Sequence, residues 1–377
     1  MKILILTTKA GAGHNMAAYA IEEEFKNKYS GQVETEVMDM YNPRHRLLSF
    51  FNNEFYFWLL KCFPKTMQKE YHYIMRQAPN CHKNGSRQIA LKAKKIVLDK
   101  IKQFQPDAIV STHPYGVAVT SYLKEQGEIK CPIYAVVTDY ALLPHWENAY
   151  NMDGIFTSCK EIHKQLETRN LDPNLFVPTG IPVFKKYEDG NRDLAKLDLL
   201  LDPQIFTILV MNGGTGLGRN KELLQRIESL KEPLQLIMVN GNNKESKRKV
   251  ARYIVKHPNS NHKIYNLGHV DTIKEYMAVS DIYIGKAGGI STTEAIKMHL
   301  PIYVPFVPPY HEIHNIEYLE SKGMAIYDPK MEHLASNIEN FIVNPQKLTI
   351  IQQAMEASPY HDNAEHICDY IVNYKKK

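Results

Sequence analysis

Twelve short apolar runs, separated by helix-length segments, limit the fold of this chain more than any other feature. The first six are KILILTT, QVETEVMDM, DAIVST, PIYAVVTD, DGIFTSC and LFVPTG. The second six open FTILVMNGGTGLG, LQLIMVNG, KIYNLGHV, DIYIGKAGG, LPIYVPF and MAIYDP. Near-continuous apolar strands alternating with helical lengths such as AAYAIEEEFKNKY are the pattern of parallel sheets covered by crossover helices. The rhythm breaks once, at the polar, Asp-rich KKYEDGNRDLAKLDLLLDP between residues 185 and 203. With 377 residues, and about 100 to 200 residues in an ordinary domain, the break reads as a linker. The expectation is therefore an α/β protein of two Rossmann-like, doubly wound domains facing a cleft. Residues 1–184 form the first domain, 185–204 the linker and 205–377 the second, with the last helix able to pack back on the first. In such sheets ligands bind beyond the carboxyl ends of the strands.

Composition excludes several classes. Cys62, Cys81, Cys131, Cys159 and Cys368 lie far apart with no C-x-x-C pair, which suggests neither a disulfide framework nor a zinc site and fits a reducing cytosol. The opening MKILILTT reads as a buried strand, not a secretory signal, and no run approaches the ~20 apolar residues of a membrane span. Net charge is +5, yet residues 41 to 130 carry fifteen Lys and Arg against six Asp and Glu. That excess predicts a basic surface for an anionic partner, whether lipid, nucleic acid or nucleotide. Within it, residues 44 to 69 crowd seven aromatics between Phe50 and Phe63, flanked by Arg44, Arg46, Lys61, Lys65 and Lys69. Aromatics beside cations suit an anionic membrane interface, Phe57 and Trp58 entering it and each cation contributing about 1 kcal/mol. The alternative is an aromatic helix in the first domain's core. No nucleic-acid-binding module is present, so nucleic acid is not expected as a partner.

Three glycine loops stand at strand ends. KAGAGH closes the first run, with His14 directly after Gly13. VMNGGTGLG places Gly213, Gly214, Thr215, Gly216 and Gly218 before a helix near Asn220. GKAGGISTTEA sets Gly288 and Gly289 before a helix that Ser291 is placed to cap and that contains Glu294. Glycine lets backbone N–H groups approach an anion, and a helix N-terminus adds about half a positive charge. The first loop fits the dinucleotide fingerprint poorly, because Met16 stands where the third glycine belongs, although Asp39 at the end of the second run is placed to serve a ribose. A nicotinamide-dependent oxidoreductase is thus the weaker reading.

Two longer segments, GAGHNMAAYAI and KAGGISTTEAIKMHLPIYVPFVPPYHEIHNIEYLESKG, together with LGHVDTIKEYMAVSDIYIGK and VVTDYALLPHW, resemble the bacterial diacylglycerol glucosyltransferases and plant monogalactosyldiacylglycerol synthases. A more distant likeness is to the enzyme that adds N-acetylglucosamine to the lipid-linked peptidoglycan precursor. Two departures stand out: Ala287 replaces the family's usual proline, and Tyr310 and His311 stand where Gly-Gln is usual. The resemblance implies a GT-B fold, a UDP-sugar donor, a diacylglycerol or glycolipid acceptor, inversion at the anomeric carbon and no metal or other cofactor. The sequence also lacks Asp-x-Asp, the usual metal-nucleotide signature of the other transferase architecture. The implied setting is the inner face of the cell membrane, with the protein peripheral to it.

Roles follow from that resemblance. Inverting transfer needs a base for the acceptor hydroxyl. His14 is the first candidate, since an imidazole is near half-neutral close to physiological pH; it could instead cap the helix or contact phosphate. Asp139, ending YAVVTD, is the second base candidate, an orienting group or a turn cap. The family's ribose contact falls on Glu294, uracil recognition on the backbone of Val270, and the donor sugar on His311 and Glu312. The diphosphate falls on the loops of Gly213, Gly214 and Thr215 and of Gly288, Gly289 and Ser291. A UDP-sugar epimerase and a non-catalytic nucleotide-sugar sensor are the competing readings.

Overall fold

A computed structural model describes residues 1–8, 12–40, 66, 69, 83–166, 171–185, 196, 198–211, 219–271, 273–307 and 312–374. The chain divides into two compact units, one of residues 1–184 with 360–377, the other of 185–308 with 312–359.

All six strands of the first unit are parallel, in the order β2-β1-β3-β4-β5-β6. They are β1 (Lys2–Thr7), β2 (Glu34–Asp39), β3 (Ala108–Ser111), β4 (Ile133–Val136), β5 (Gly154–Thr157) and β6 (Phe176–Pro178). Ile3, Leu4, Ile5 and Leu6 of β1 are all fully buried, because a central parallel strand has helices on both faces and no solvent side. The first unit's longer described helices before residue 184 are α1 (Ala12–Lys28), α2 (Lys83–Phe104) and α3 (Pro114–Glu125). α1 turns Ala18, Ile21 and Phe25 to the sheet, the spacing that lines one helical face, and ends with Lys26 and Lys28, which complement its negative pole.

The second sheet, also wholly parallel, runs β12-β11-β10-β7-β8-β9. Its strands are β7 (Phe206–Met211), β8 (Leu234–Val239), β9 (Lys263–Leu267), β10 (Ile282–Gly285), β11 (Ile302–Val304) and β12 (Ala325–Tyr327). Its helices are α4 (Asn220–Ile227), α5 (Lys244–Lys256), α6 (Lys274–Val279), α7 (Gly289–Lys297), α8 (Glu312–Ser321), α9 (Leu334–Val343) and α10 (Gln346–Glu356). Ile208, Val210, Leu236, Met238, Ile282 and Ile284 meet Leu223, Val250, Leu334 and Ile338 in one core. Part of the Asp-rich stretch is tied to this unit. Lys196 is buried and donates to Pro203 O at 2.9 Å, while Asp202 exchanges hydrogen bonds with the buried Gln235 side chain.

The last helix, α11 (Asn363–Asn373), lies in the first unit. Ile367, Cys368 and Ile371 enter the core beside Ile21 and Phe25. Lys28 Nζ donates to Glu365 and Asp369 at 2.5 and 2.9 Å, and Tyr29 Oη donates to Asp369 at 2.6 Å. The Asp369 carboxyl is pushed up by burial, but hydrogen bonds from Lys28 and Tyr29 outweigh this and hold it below its ordinary range.

In each sheet the strand order reverses beside the first strand, between β1 and β3 in one and between β7 and β10 in the other. Loops on the two sides of such a reversal diverge and leave a crevice at the carboxyl ends of the strands.

Candidate active site

His14 lies in the first turn of α1, at the β1/β3 reversal. Its Nδ1 is 2.8 Å from Thr112 O, just past β3, and 3.1 Å from Thr138 Oγ1, just past β4. Thr112 Oγ1 returns a bond to His14 O at 3.0 Å, so the first turn of α1 and the end of β3 hold one another. A carbonyl oxygen only accepts, so Nδ1 carries the proton and the neutral ring keeps its lone pair on Nε2. That assignment follows from the carbonyl partner. It leaves Nε2 as the proton-accepting atom of the neutral imidazole.

Asp139 follows Thr138 and is buried, its carbonyl accepting from Ser158 Oγ at 2.7 Å. The fold therefore brings both base candidates to the same strand ends. His113, which the sequence reading passed over, is buried too, its ring centroid 4.5 Å from that of His14 at an interplanar angle of 74°. The signal for it was a histidine and a proline immediately after a strand.

In the second unit the crowded point is the β7/β10 reversal. Gly285 ends β10 opposite Met211 of β7. A Cβ there would stand 2.3 Å from Met211 O and 2.4 Å from Tyr283 Oη, so only glycine fits. Tyr283 Oη, fully buried, donates toward Met211 O and Lys286 O at 3.2 and 3.3 Å, and burial pushes its phenol well above the ordinary range. Beyond it Lys286 Nζ meets Glu312 Oε1 at 2.5 Å. Glu312 is buried, and among the described residues its Oε2 has no hydrogen-bond partner. Asn315 Nδ2, from the next turn of α8, donates to Ala287 O at 2.9 Å and pins the loop.

Gly288 is the N-cap of α7 and Gly289 its first residue. Ser291 is not the cap expected of it. It sits inside the first turn, where its hydroxyl reaches back to Gly288 O at 3.2 Å, and Gly288 makes no side-chain cap bond. Thr292 and Thr293 likewise bond Gly288 O and Gly289 O. The helical ladder starts with Thr292 N to Gly288 O, so the N–H groups of Gly289, Ile290 and Ser291 precede the first bond, the arrangement that suits an anion. Glu294 is buried on α7. Val270 is three residues past β9, partly exposed. Its strand is three places from β10 in the sheet, roughly 14 Å at about 4.8 Å per strand.

Gly213, Gly214, Thr215, His311, Arg44, Arg46, Phe57, Trp58 and Lys61 lie outside the described residues. Among the described residues no three of His, Cys, Asp and Glu cluster as metal ligands, and no helix is long and apolar enough to cross a membrane.

Residues 14–183 match the family model for monogalactosyldiacylglycerol (MGDG) synthase, and residues 207–367 that for the glycosyltransferase family 28 C-terminal domain. Processive diacylglycerol beta-glucosyltransferase of Staphylococcus saprophyticus is 26% identical over 99% of this chain and 92% of its own length. The Bacillus cereus protein of the same name is 28% identical over 98% and 93%. Among solved structures, MurG of Acinetobacter baumannii superposes with a TM-score of 0.65 at 14% identity, covering 99% of both chains. Anabaena Alr3699/HepE in complex with UDP gives 0.61 at 15%, covering 99% and 98%. These likenesses show the two-sheet GT-B fold.

Proposed function

We infer that this chain, a member of the glycosyltransferase family that joins an MGDG synthase region to a family 28 C-terminal domain, is an inverting UDP-sugar-dependent hexosyltransferase acting on diacylglycerol. Full-length similarity to processive diacylglycerol beta-glucosyltransferases supports this acceptor and makes UDP-glucose the first donor to test. The single observation that carries the chemistry is the His14 hydrogen bond to Thr112 O, which leaves Nε2 as the basic atom.

His14 Nε2 takes the proton of the acceptor hydroxyl as its oxygen bonds the anomeric carbon, and the bond from that carbon to the diphosphate oxygen breaks on the opposite face. UDP departs with the electron pair. Asp139, one residue from the Thr138 hydroxyl that touches His14, orients the acceptor. In the second unit the backbone at Val270 takes uracil and Glu294 the ribose hydroxyls. The N-terminus of α7 at Gly288, Gly289 and Ser291, with the loop of Gly213, Gly214 and Thr215, offsets the diphosphate charge in place of a metal. Glu312 Oε2, buried and without a partner among the described residues, accepts from a donor-sugar hydroxyl beside His311. The stretch from Arg44 to Lys69 holds the protein at an anionic bilayer, at the inner face of the cell membrane.

Purified protein with diacylglycerol vesicles and labelled UDP-glucose, UDP-galactose or UDP-N-acetylglucosamine tests the reading. Labelled glycolipid forms with one donor, persists with a chelator, and falls at least ~100-fold in kcat for His14→Ala with donor affinity retained. No labelled lipid from any donor refutes the transferase, and transfer at full rate by His14→Ala refutes the base.

A further inference from the structure

In the second unit, α5 (Lys244–Lys256) reads KESKRKVARYIVK, six cations against one carboxylate. This one helix therefore carries a net +5, as much as the whole chain. Val250 and Tyr253 seat it on the core of the unit. Its other side is exposed, and there Lys244, Arg248, Arg252 and Lys256 follow one another at four-residue intervals. At 1.5 Å per residue they form a row about 18 Å long.

Nothing within the helix favours that row. Like charges four residues apart destabilise a helix, and neighbours about 6 Å apart lie inside the ~8 Å Debye length of physiological salt. Lys244 and Lys247 stand at the positive pole of the helix dipole, the wrong end for a cation. The single carboxylate, Glu245, meets Lys249 at 2.8 Å. Among the described residues no carboxylate forms an ion pair with Lys244, Arg248, Arg252 or Lys256. Val255 is 79% exposed, two turns after Arg248 and next to Lys256. A lone exposed valine is ordinary, but this one gives a basic face an apolar point at its middle.

Resting on the reading of the acceptor as a membrane lipid, we propose that this face of α5 is a docking surface for an anionic bilayer, separate from residues 44–69. The complementarity is one of charge: a straight, exposed row of cations meets a sheet of anionic headgroups, with Val255 turned to the acyl boundary. The face has no Asn, Gln or aromatic side chain with which to read or stack bases. One weak contact holds a protein to a bilayer only marginally, whereas two together hold it stably.

The test uses the full-length protein and sedimentation with phosphatidylcholine vesicles, with and without phosphatidylglycerol. Donor and diacylglycerol are left out, so the readout does not depend on catalysis. A cation near an anionic surface accounts for about 5-fold in binding, so Arg248→Gln, Arg252→Gln and Lys256→Gln together should weaken binding to phosphatidylglycerol vesicles by roughly 100-fold. The difference should shrink as salt is raised. The triple variant should bind UDP normally in calorimetry and melt no lower than the unmutated protein, because repulsion along the helix has been removed. Exchanging the cations instead, Arg248→Lys, Arg252→Lys and Lys256→Arg, should keep binding. Normal sedimentation of the Gln variant overturns the proposal and leaves a solvated basic face. Loss of binding in step with a lowered melting temperature overturns it in favour of a role in folding. Loss in the charge-preserving variant overturns it in favour of a ligand that reads side-chain geometry. Binding of labelled RNA or duplex DNA that depends on α5, with no effect of α5 on vesicles, overturns it in favour of nucleic acid. Vesicle binding that depends on α5, beside no labelled glycolipid from any donor, removes the transferase and keeps the surface; full transfer with binding independent of α5 removes only the surface.

Discussion

Gly285→Ala is expected to be among the costliest single-methyl additions in the second unit. The added carbon would lie 2.3 Å from Met211 O, about 1 Å inside ordinary contact. Neither neighbour is a flexible side-chain tip: Met211 O is backbone of β7, and Tyr283 Oη is tied to it at 3.2 Å. β10 must therefore move away from β7 in the middle of a six-stranded sheet. Overpacking costs about 1 to 3 kcal/mol, and losing the tyrosine bond adds about 1 kcal/mol. For a unit of this size each kcal/mol shifts the melting temperature by about 2 to 4 °C, so scanning calorimetry should show a transition lowered by roughly 5 to 15 °C. Lys286 and Gly288 are carried on the same strand end, so UDP affinity should fall as well. Gly268→Ala is the control: the nearest atom to its added carbon outside the adjacent residues would be Lys247 Nζ at 3.5 Å, an ordinary contact, and it should melt within ~2 °C. A Gly285→Ala protein that melts with the control and binds UDP normally would refute the close-approach argument.

Glu294→Ala should weaken UDP and UDP-sugar alike by about 10- to 100-fold in calorimetry, the worth of a charge-assisted hydrogen bond to ribose; unchanged UDP affinity would remove Glu294 from the site. Asp369 is held below its ordinary value of 3.8, so its contribution is present above that pH and lost as pH falls through the lower, folded value. Because the pair is partly exposed, Asp369→Asn should melt only ~1 to 3 °C low at pH 7, and the gap should narrow as pH falls below the ordinary carboxylate value; a gap independent of pH would show that the contact acts by packing alone. Phe57→Ala with Trp58→Ala should release the protein from vesicles containing anionic lipid, read by sedimentation, and normal binding by the folded double variant would return those aromatics to the core.

The strands were legible because a parallel strand buried on both faces cannot hide polar residues. Ile3 to Leu6 and Leu234 to Val239 are apolar for nearly their whole length and read as strands from composition alone. Their order in the sheets was not legible, since such a strand looks the same whichever neighbour it pairs with. His14 could be singled out from its loop, but its partners could not. The bond goes to the carbonyl of Thr112, 98 residues away, and a carbonyl belongs to every residue and so leaves no mark in a sequence. The Lys286–Glu312 pair spans 26 residues and two loops, and nothing in either loop says which of several charges will meet. Ser291 shows the opposite error: its type suits a cap, yet one turn of helix geometry decides whether a hydroxyl meets an N–H group or a carbonyl.

The clamp between α1 and α11 bears on how the chain matures. Ile367, Cys368 and Ile371 belong to the core against which the base-bearing helix packs, yet they are made only after the whole second unit. At a synthesis rate of about 5 to 20 residues per second, the 175 or so intervening residues take roughly 10 to 35 s. Throughout that interval α1 exposes Ile21 and Phe25 without their final cover, and Lys28 has neither carboxylate. The first unit, although its sheet is made first, therefore gains the helix that covers Ile21 and Phe25 only after the second unit has been made.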